Sequence, residues 1–102
     1  MGNQYGDETM KTIYKYEAFT NEPKDVATLT LPKGAIFRSV REQGNTICVW
    51  FEVDADITET EERKFVIYGT GHPFKDYRQE FLGAFFPQDA QFVFHVYEVI
   101  AE

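Results

Sequence analysis

The sequence predicts an all-β fold, mainly antiparallel, in which about seven short strands form a small β-sandwich or a small barrel. Aromatic residues make up 17% of the chain, and such side chains suit the half-buried surface of a pleated sheet. Apolar and polar residues alternate with a period of two in several segments, as expected of strands with one buried face. Turn-forming residues separate these segments, and no segment of helical period exceeds one or two turns.

Seven segments are predicted to be strands: residues 12–19, 26–31, 35–42, 46–53, 64–68, 81–86 and 92–100. The third and fourth form a hairpin across Gln-Gly-Asn at 43–45, and alternate residues from Ile47 to Val53 share one face of the fourth. Residues 54–62 are predicted to be an acidic connection, and the polar residues 75–80 could hold one helical turn. The last strand is apolar on both faces, which indicates a central strand or one covered by a partner chain.

Length and charge narrow the class of protein. A chain of 102 residues has the size of one domain. We expect residues 10–102 to form it and residues 1–9, which precede a second start-like methionine, to be a flexible extension. The formal net charge of −7 disfavours broad nucleic-acid binding and association with anionic membranes. A single cysteine, Cys48, cannot form an internal disulfide and fits a reducing cytoplasm.

The segment 69–74, Gly-Thr-Gly-His-Pro-Phe, is the strongest candidate for a binding site. Its glycines let the backbone approach a ligand and present N–H groups to an anion. The predicted contacts to that anion are Gly69, Gly71, His72, Lys75 and Arg78. The alternative interpretation is a plain turn between strands that needs a positive φ at one glycine. The segment is not a P-loop, because it lacks the Gly-Lys-Ser/Thr ending before a helix.

Arginine and aromatic residues elsewhere extend the candidate site. Arg38 and Arg41 are predicted on opposite faces of the third strand, and Arg38 could clamp an anion at a subunit interface. Alternatively, these charges protect an edge strand from aggregation. Trp50, Tyr68 or Tyr97 could stack on a base.

Catalysis and metal binding have less support in the sequence. His72 and His95 could act as acid and base in a small hydrolase with a carboxylate, but no orienting third group is evident. His95 in an apolar strand is more typical of a core or interface residue. Cys48 alternates with Trp50 in a strand, the usual position of a small buried residue. The acidic residues 54–58 lack the Gly and Glu of a calcium loop, and no zinc ligand cluster is present. We therefore predict no metal and no cofactor.

Five segments resemble a small family of uncharacterised proteins of tailed bacteriophages and prophages. In chain order they are residues 10–16 (Met-Lys-Thr-Ile-Tyr-Lys-Tyr), 31–35 (Leu-Pro-Lys-Gly-Ala), 48–54 (with Cys-Val-Trp and Glu-Val-Asp), 69–73 (Gly-Thr-Gly-His-Pro) and 93–98 (Val-Phe-His-Val-Tyr-Glu). The resemblance implies a phage accessory protein in the cytoplasm of a bacterial host, and it transfers no activity.

This context suggests a function by analogy. Some small phage proteins oppose host defence as oligomers that sequester immune signals derived from nucleotides. The resemblance therefore favours a homo-oligomer that binds a small anionic ligand without converting it. The alternative is a protein-binding module that inhibits a host protein or acts in phage assembly, which the aromatic surplus favours.

Overall fold

The computed structural model describes residues 10–88 and 91–102, and the predicted extension at residues 1–9 lies outside them. The described residues form seven strands and no helix. The strands are β1 Lys11–Ala18, β2 Val26–Pro32, β3 Ile36–Gln43, β4 Thr46–Asp54, β5 Thr60–Gly69, β6 Arg78–Phe85 and β7 Phe94–Ala101. The all-β prediction is therefore confirmed, and this part of the chain contains no helix that could cross a membrane.

The strands form two antiparallel sheets packed as a sandwich, not a closed barrel. The three-stranded sheet has the order β1-β4-β3, and the four-stranded sheet has the order β2-β5-β7-β6. On one side of the sandwich the edge strands β3 and β6 approach each other. A Cβ added to Gly83 there would lie 3.1 Å from the ring of Phe37. On the other side, residues 19–25 join β1 to β2.

The core between the sheets is built around aromatic rings. Phe51 is fully buried, and its ring centroid lies 5.7 Å from that of Phe65 in the opposite sheet. Ile47, Val49 and Val53 pack into the same cluster, which confirms the predicted alternation in β4. Burial of each such side chain stabilises the fold by roughly 1.5–3 kcal/mol.

β7 is a central strand, as its two apolar faces predict. It pairs with β5 on one side and with β6 on the other. Val96 faces the core. The neighbouring Tyr97 faces the outside of the sheet, where it packs edge-on against Tyr68 with ring centroids 5.6 Å apart.

Two local predictions are wrong. The acidic connection predicted at residues 54–62 stops earlier, because β5 begins at Thr60, where its backbone pairs with Pro32 of β2. Residues 75–80 form no helical turn. Instead, β6 begins at Arg78 and pairs with the end of β7. In both places pairing with a neighbouring strand outweighs the local polar character of the sequence.

A β-bulge brings Arg38 and Arg41 to the same face, so the prediction of opposite faces is also wrong. The register of β3 against β4 shifts around Arg38, and one inserted residue reverses the alternation. Arg38 Nη2 donates to Glu52 Oε1 at 2.7 Å, and the Arg41 guanidinium lies 5.5 Å from the ring centroid of Trp50. Glu52 and Trp50 alternate with the core residues of β4. Both arginines therefore lie on the outer face of this sheet.

A charge cluster lies at one end of the sandwich, near the start of β5. Arg63 donates to both carboxylate oxygens of Glu98, at 2.7 and 2.9 Å, and to Ala35 O at 2.5 Å. Its guanidinium also lies 5.8 Å from the ring centroid of Phe51. The hydrogen bond that Arg63 donates to Glu98 raises the pKa of Arg63, and burial opposes that rise. Arg63 is therefore a paired cation at the border of the core.

Candidate functional site

The loop of residues 70–77 joins β5 to β6 and contains the predicted binding segment. Its first turn is closed by a hydrogen bond from His72 N to Gly69 O at 2.9 Å. Gly71 has a φ of +90°, a conformation that only glycine adopts readily. The turn interpretation is therefore correct for Gly71, and it is compatible with a site in the same loop.

A stacked ring pair and two hydrogen bonds hold this loop against the outer face of the four-stranded sheet. The ring of Phe74 stacks on that of Tyr68, with centroids 4.3 Å apart. The Tyr68 hydroxyl donates to Gln79 Oε1 at 2.7 Å and accepts from Lys75 N at 3.2 Å. Because Tyr68 is only 4% exposed, these bonds satisfy a buried hydroxyl and fix the backbone of Lys75.

A cavity of about 310 Å³ lies between this loop and the β1–β2 loop. Its lining comes from four parts of the chain: Lys24, Asp25, Ile67, Tyr68, Gly69, His72, Pro73, Lys75 and Phe94. Three of the predicted contacts, Gly69, His72 and Lys75, therefore line one cavity. Lys24 also lines this cavity, although the sequence does not identify it as a site residue.

The cavity carries more positive charge than the chain as a whole. Two lysines and one aspartate line it, whereas the chain has a net charge of −7. Lys75 Nζ lies 3.2 Å from Asp25 Oδ2, and Lys24 Nζ lies 4.0 Å from a carboxylate oxygen of Glu22. Both ion pairs are exposed to solvent. Such pairs contribute little, so an anion can compete for the two ammonium groups.

Gly69 makes space for the histidine ring at the edge of the cavity. A Cβ at this position would lie 2.5 Å from Phe92 Cε2 and 2.9 Å from His72 Cε1. The rings of His72 and Phe92 pack edge-on with centroids 5.3 Å apart. The requirement for glycine at this position is therefore steric and comes from the two rings.

A second cavity, of about 400 Å³, adjoins the first, and the two share Lys24, Ile67 and Phe94. Its other walls come from the β1–β2 loop and the β3–β4 hairpin: Phe19, Thr20, Glu42, Asn45, Thr46 and Ile47. Phe19 has a positive φ of 60°, which is uncommon for a bulky residue. Together the two cavities form a groove near the C-terminal end of β5, whereas Arg63 lies near the start of this strand.

Gly71 lies in the same loop but does not line the cavity, and the other predicted site residues lie elsewhere. Tyr97 is on the outer face of the four-stranded sheet, with its ring centroid 5.0 Å from that of Phe74. Arg78 begins β6 opposite Ala101. Arg38 and Trp50 lie on the outer face of the three-stranded sheet. These four residues therefore do not share a cavity with His72.

The groups considered for catalysis are also dispersed. His95 Nε2 lies 3.1 Å from Thr70 Oγ1, which in turn lies 3.1 Å from Val93 O. His95 does not line the cavity that His72 lines, and Cys48 is buried within β4. Within residues 10–88 and 91–102, no group of three or more His, Cys, Asp or Glu side chains could hold a metal ion.

Comparison with known proteins gives one match. No curated protein and no solved structure matches the chain. The family described as a domain of unknown function, DUF7352, matches residues 10–102. This range contains all seven strands and the lining of both cavities. The chain therefore belongs to the DUF7352 family.

Proposed function

We propose that this protein binds a small anion derived from a nucleotide and does not convert it. The observation that carries the proposal is the convergence of Lys24, Lys75 and His72 on one cavity. Fixed cations in a concave site concentrate anionic ligands locally even when the protein is acidic overall. Of the residues considered for catalysis, only His72 lines this cavity, which supports binding without turnover.

The groove combines the ammonium groups of the first cavity with the aromatic and polar side chains of the second, which suits a nucleotide. Lys24 and Lys75 can donate charge-assisted hydrogen bonds to a phosphate, and a ring nitrogen of His72 can add another. The shared wall of Ile67 and Phe94 leads into the second cavity. Its aromatic surfaces and the amide of Asn45 suit the face and edge of a base.

The biological role that we propose is sequestration of a nucleotide-derived immune signal in the cytoplasm of a bacterial host. It is supported by the position of the two most specific segments of the phage resemblance. Residues 69–73 supply Gly69, His72 and Pro73 to the first cavity, and residues 93–98 supply Phe94 to both. The single cysteine supports the reducing compartment.

Titration calorimetry with ADP, cyclic dinucleotides and inorganic phosphate tests this proposal. We expect Lys24→Gln and Lys75→Gln each to weaken binding about tenfold or more, because hydrogen bonds to charged groups contribute roughly 1.5–3 kcal/mol. Lys33→Gln is the matched control, since Lys33 is exposed in the β2–β3 turn. The proposal fails if nothing in the panel binds, or if all three variants bind as the wild type does. Recovery of a cleaved ligand after release would contradict the absence of turnover.

A second candidate function, a protein-binding module that inhibits a host protein or acts in phage assembly, is favoured by an exposed aromatic patch. Phe74 and Phe81 are 57% and 54% exposed, and their ring centroids lie 5.0 and 5.4 Å from that of Tyr97. Interface cores are enriched in such side chains. Affinity capture from a bacterial lysate should then retain a stoichiometric partner that Phe81→Ser releases. Equal capture by both proteins would count against this function.

A further inference from the structure

Of the four sheet edges in the described part of the chain, one has neither a charged residue nor a register shift. β1 and β3 carry several charged residues, β3 also has the bulge at Arg38, and β6 has two register shifts. β2 reads Val-Ala-Thr-Leu-Thr-Leu-Pro, with no charged residue and a regular register along its whole length. An uncharged, regular edge strand is a template for pairing.

Pairing with β5 fixes which backbone groups of β2 are at the free edge. Asp25 O accepts a hydrogen bond from β5, and Lys33 N donates one to the residue before β5, both at 2.9 Å. Bonded residues alternate in an antiparallel ladder, so the odd-numbered residues of β2 face β5. The even-numbered residues, Thr28 and Thr30 among them, therefore present N–H and C=O groups to the free edge.

The ends of β2 leave few backbone groups free at this edge. Pro32 has no N–H and its C=O accepts from Ala35 N at 3.1 Å, and Val26 N donates to Pro23 O at 3.3 Å. The C=O of Val26 and the N–H and C=O groups of Thr28 and Thr30 remain, and no hydrogen bond from a loop or turn of the described residues reaches them. Both threonine side chains are exposed.

We infer that β2 pairs with β2 of a second copy of this chain, antiparallel about a twofold axis at Leu29. In this register Thr28 of one copy faces Thr30 of the other, and each such pair exchanges two hydrogen bonds. The N–H and C=O groups of both threonines in each copy are then satisfied. The half-buried Leu29 meets Leu29 of the second copy at the axis. The two four-stranded sheets become one continuous sheet across an isologous interface.

The flanking residues are compatible with this register. On β5, Lys64 lies opposite Thr28 and Glu62 lies opposite Thr30. In the dimer, the residues that lie opposite one another across four strands form a row: Lys64 and Thr28 of one copy, then Thr30 and Glu62 of the other. The two ends of each row therefore carry charges of opposite sign. The symmetry of Thr28-Leu29-Thr30 about its centre favours a second copy over an unrelated peptide. The inference does not depend on the ligand site.

Two double variants at the exposed threonines test both the dimer and its register. Thr28→Lys with Thr30→Lys places like charges directly opposite each other, whereas Thr28→Lys with Thr30→Glu places opposite charges there. Light scattering after size exclusion should give twice 11.9 kDa for the wild type and the Lys/Glu variant. The Lys/Lys variant should be monomeric, with a dimer Kd at least about tenfold weaker than that of the Lys/Glu variant. Superimposable circular dichroism spectra serve as the folding control.

Amide hydrogen exchange gives an independent readout. In the dimer the amides at positions 28 and 30 should exchange slowly, and they should exchange fast in the Lys/Lys variant. The amides of Ala27 and Leu29 bond to β5 and should stay protected in both proteins. A monomeric wild type, or the same mass for both double variants, would overturn the inference.

Discussion

At the scale of single residues, Arg63 has a role that its position in the sequence does not reveal. It lies in the charged run Glu61-Glu62-Arg63-Lys64, which we would expect to be solvated. Cross-strand pairing instead turns it towards the core, where its side chain is 18% exposed and that of Glu98 is 13% exposed. A cation in this environment is tolerated because its bonds are satisfied.

Glu98→Ala should therefore lower the free energy of unfolding by about 3 kcal/mol, since it leaves the Arg63 charge without its partner. Replacing both residues, with Arg63→Met and Glu98→Leu, should restore most of that loss. Urea denaturation measures both effects. Glu102→Ala is the control, because its pair with Lys64 is exposed, and the change should be within about 1 kcal/mol. Equal effects of Glu98→Ala and Glu102→Ala would show that Arg63 is effectively solvated.

Gly69 is a second residue whose substitution should have a clear effect on stability. Gly69→Ala should destabilise the protein by about 1–3 kcal/mol, because the added methyl group overlaps the rings of Phe92 and His72. Thermal unfolding measures the loss, and ligand titration should show weaker binding as the His72 ring is displaced. Gly34→Asn is the control. Gly34 has a φ of +83° and open space around it, and Asn tolerates such a conformation better than most residues. Unchanged stability of Gly69→Ala would contradict this packing.

At the scale of elements, strand positions follow from alternation where one face is buried. β4 is predicted from its sequence almost to the residue because alternate residues from Ile47 to Val53 are all apolar and together define its core face. The start of β5 and the bulge at Arg38 are not predictable in this way. Both depend on which backbone lies alongside, and a strand acquires that neighbour only when distant segments pair.

The loop of residues 70–77 depends on one buried hydroxyl. Tyr68→Phe removes the hydroxyl that accepts a hydrogen bond from Lys75 N and donates one to Gln79. Its loss should destabilise the loop by about 1–2 kcal/mol. Amide exchange in residues 70–77 should accelerate, while the exchange of β4 amides should change little. Tyr14→Phe, at an exposed position on β1, is the matched control. Uniformly faster exchange across the chain would instead show that Tyr68 stabilises the whole fold and not the loop.

At the scale of the whole molecule, the sandwich has two different ends. Near the start of β5, the paired charges of Arg63 and Glu98 border the core. Near its end, the loops separate enough to leave the groove between the β1–β2 loop and the β5–β6 loop. The sequence indicates the second of these loops through its glycines and histidine. It does not indicate Lys24, because 44 positions separate Lys24 from Tyr68 and only the pairing of β2 with β5 brings them together.

Binding of a nucleotide-derived anion in this groove can be tested by mapping a nucleotide on the protein by NMR. Backbone amide shifts would be followed during titration with the tightest-binding member of the calorimetry panel. We predict saturable shifts at residues 69–72, 74 and 75, at Lys24 and Asp25, and at Phe94, with little change at Arg38, Trp50 or Arg78. Saturable shifts confined to the outer face of either sheet, or no shift with any nucleotide, would contradict this prediction.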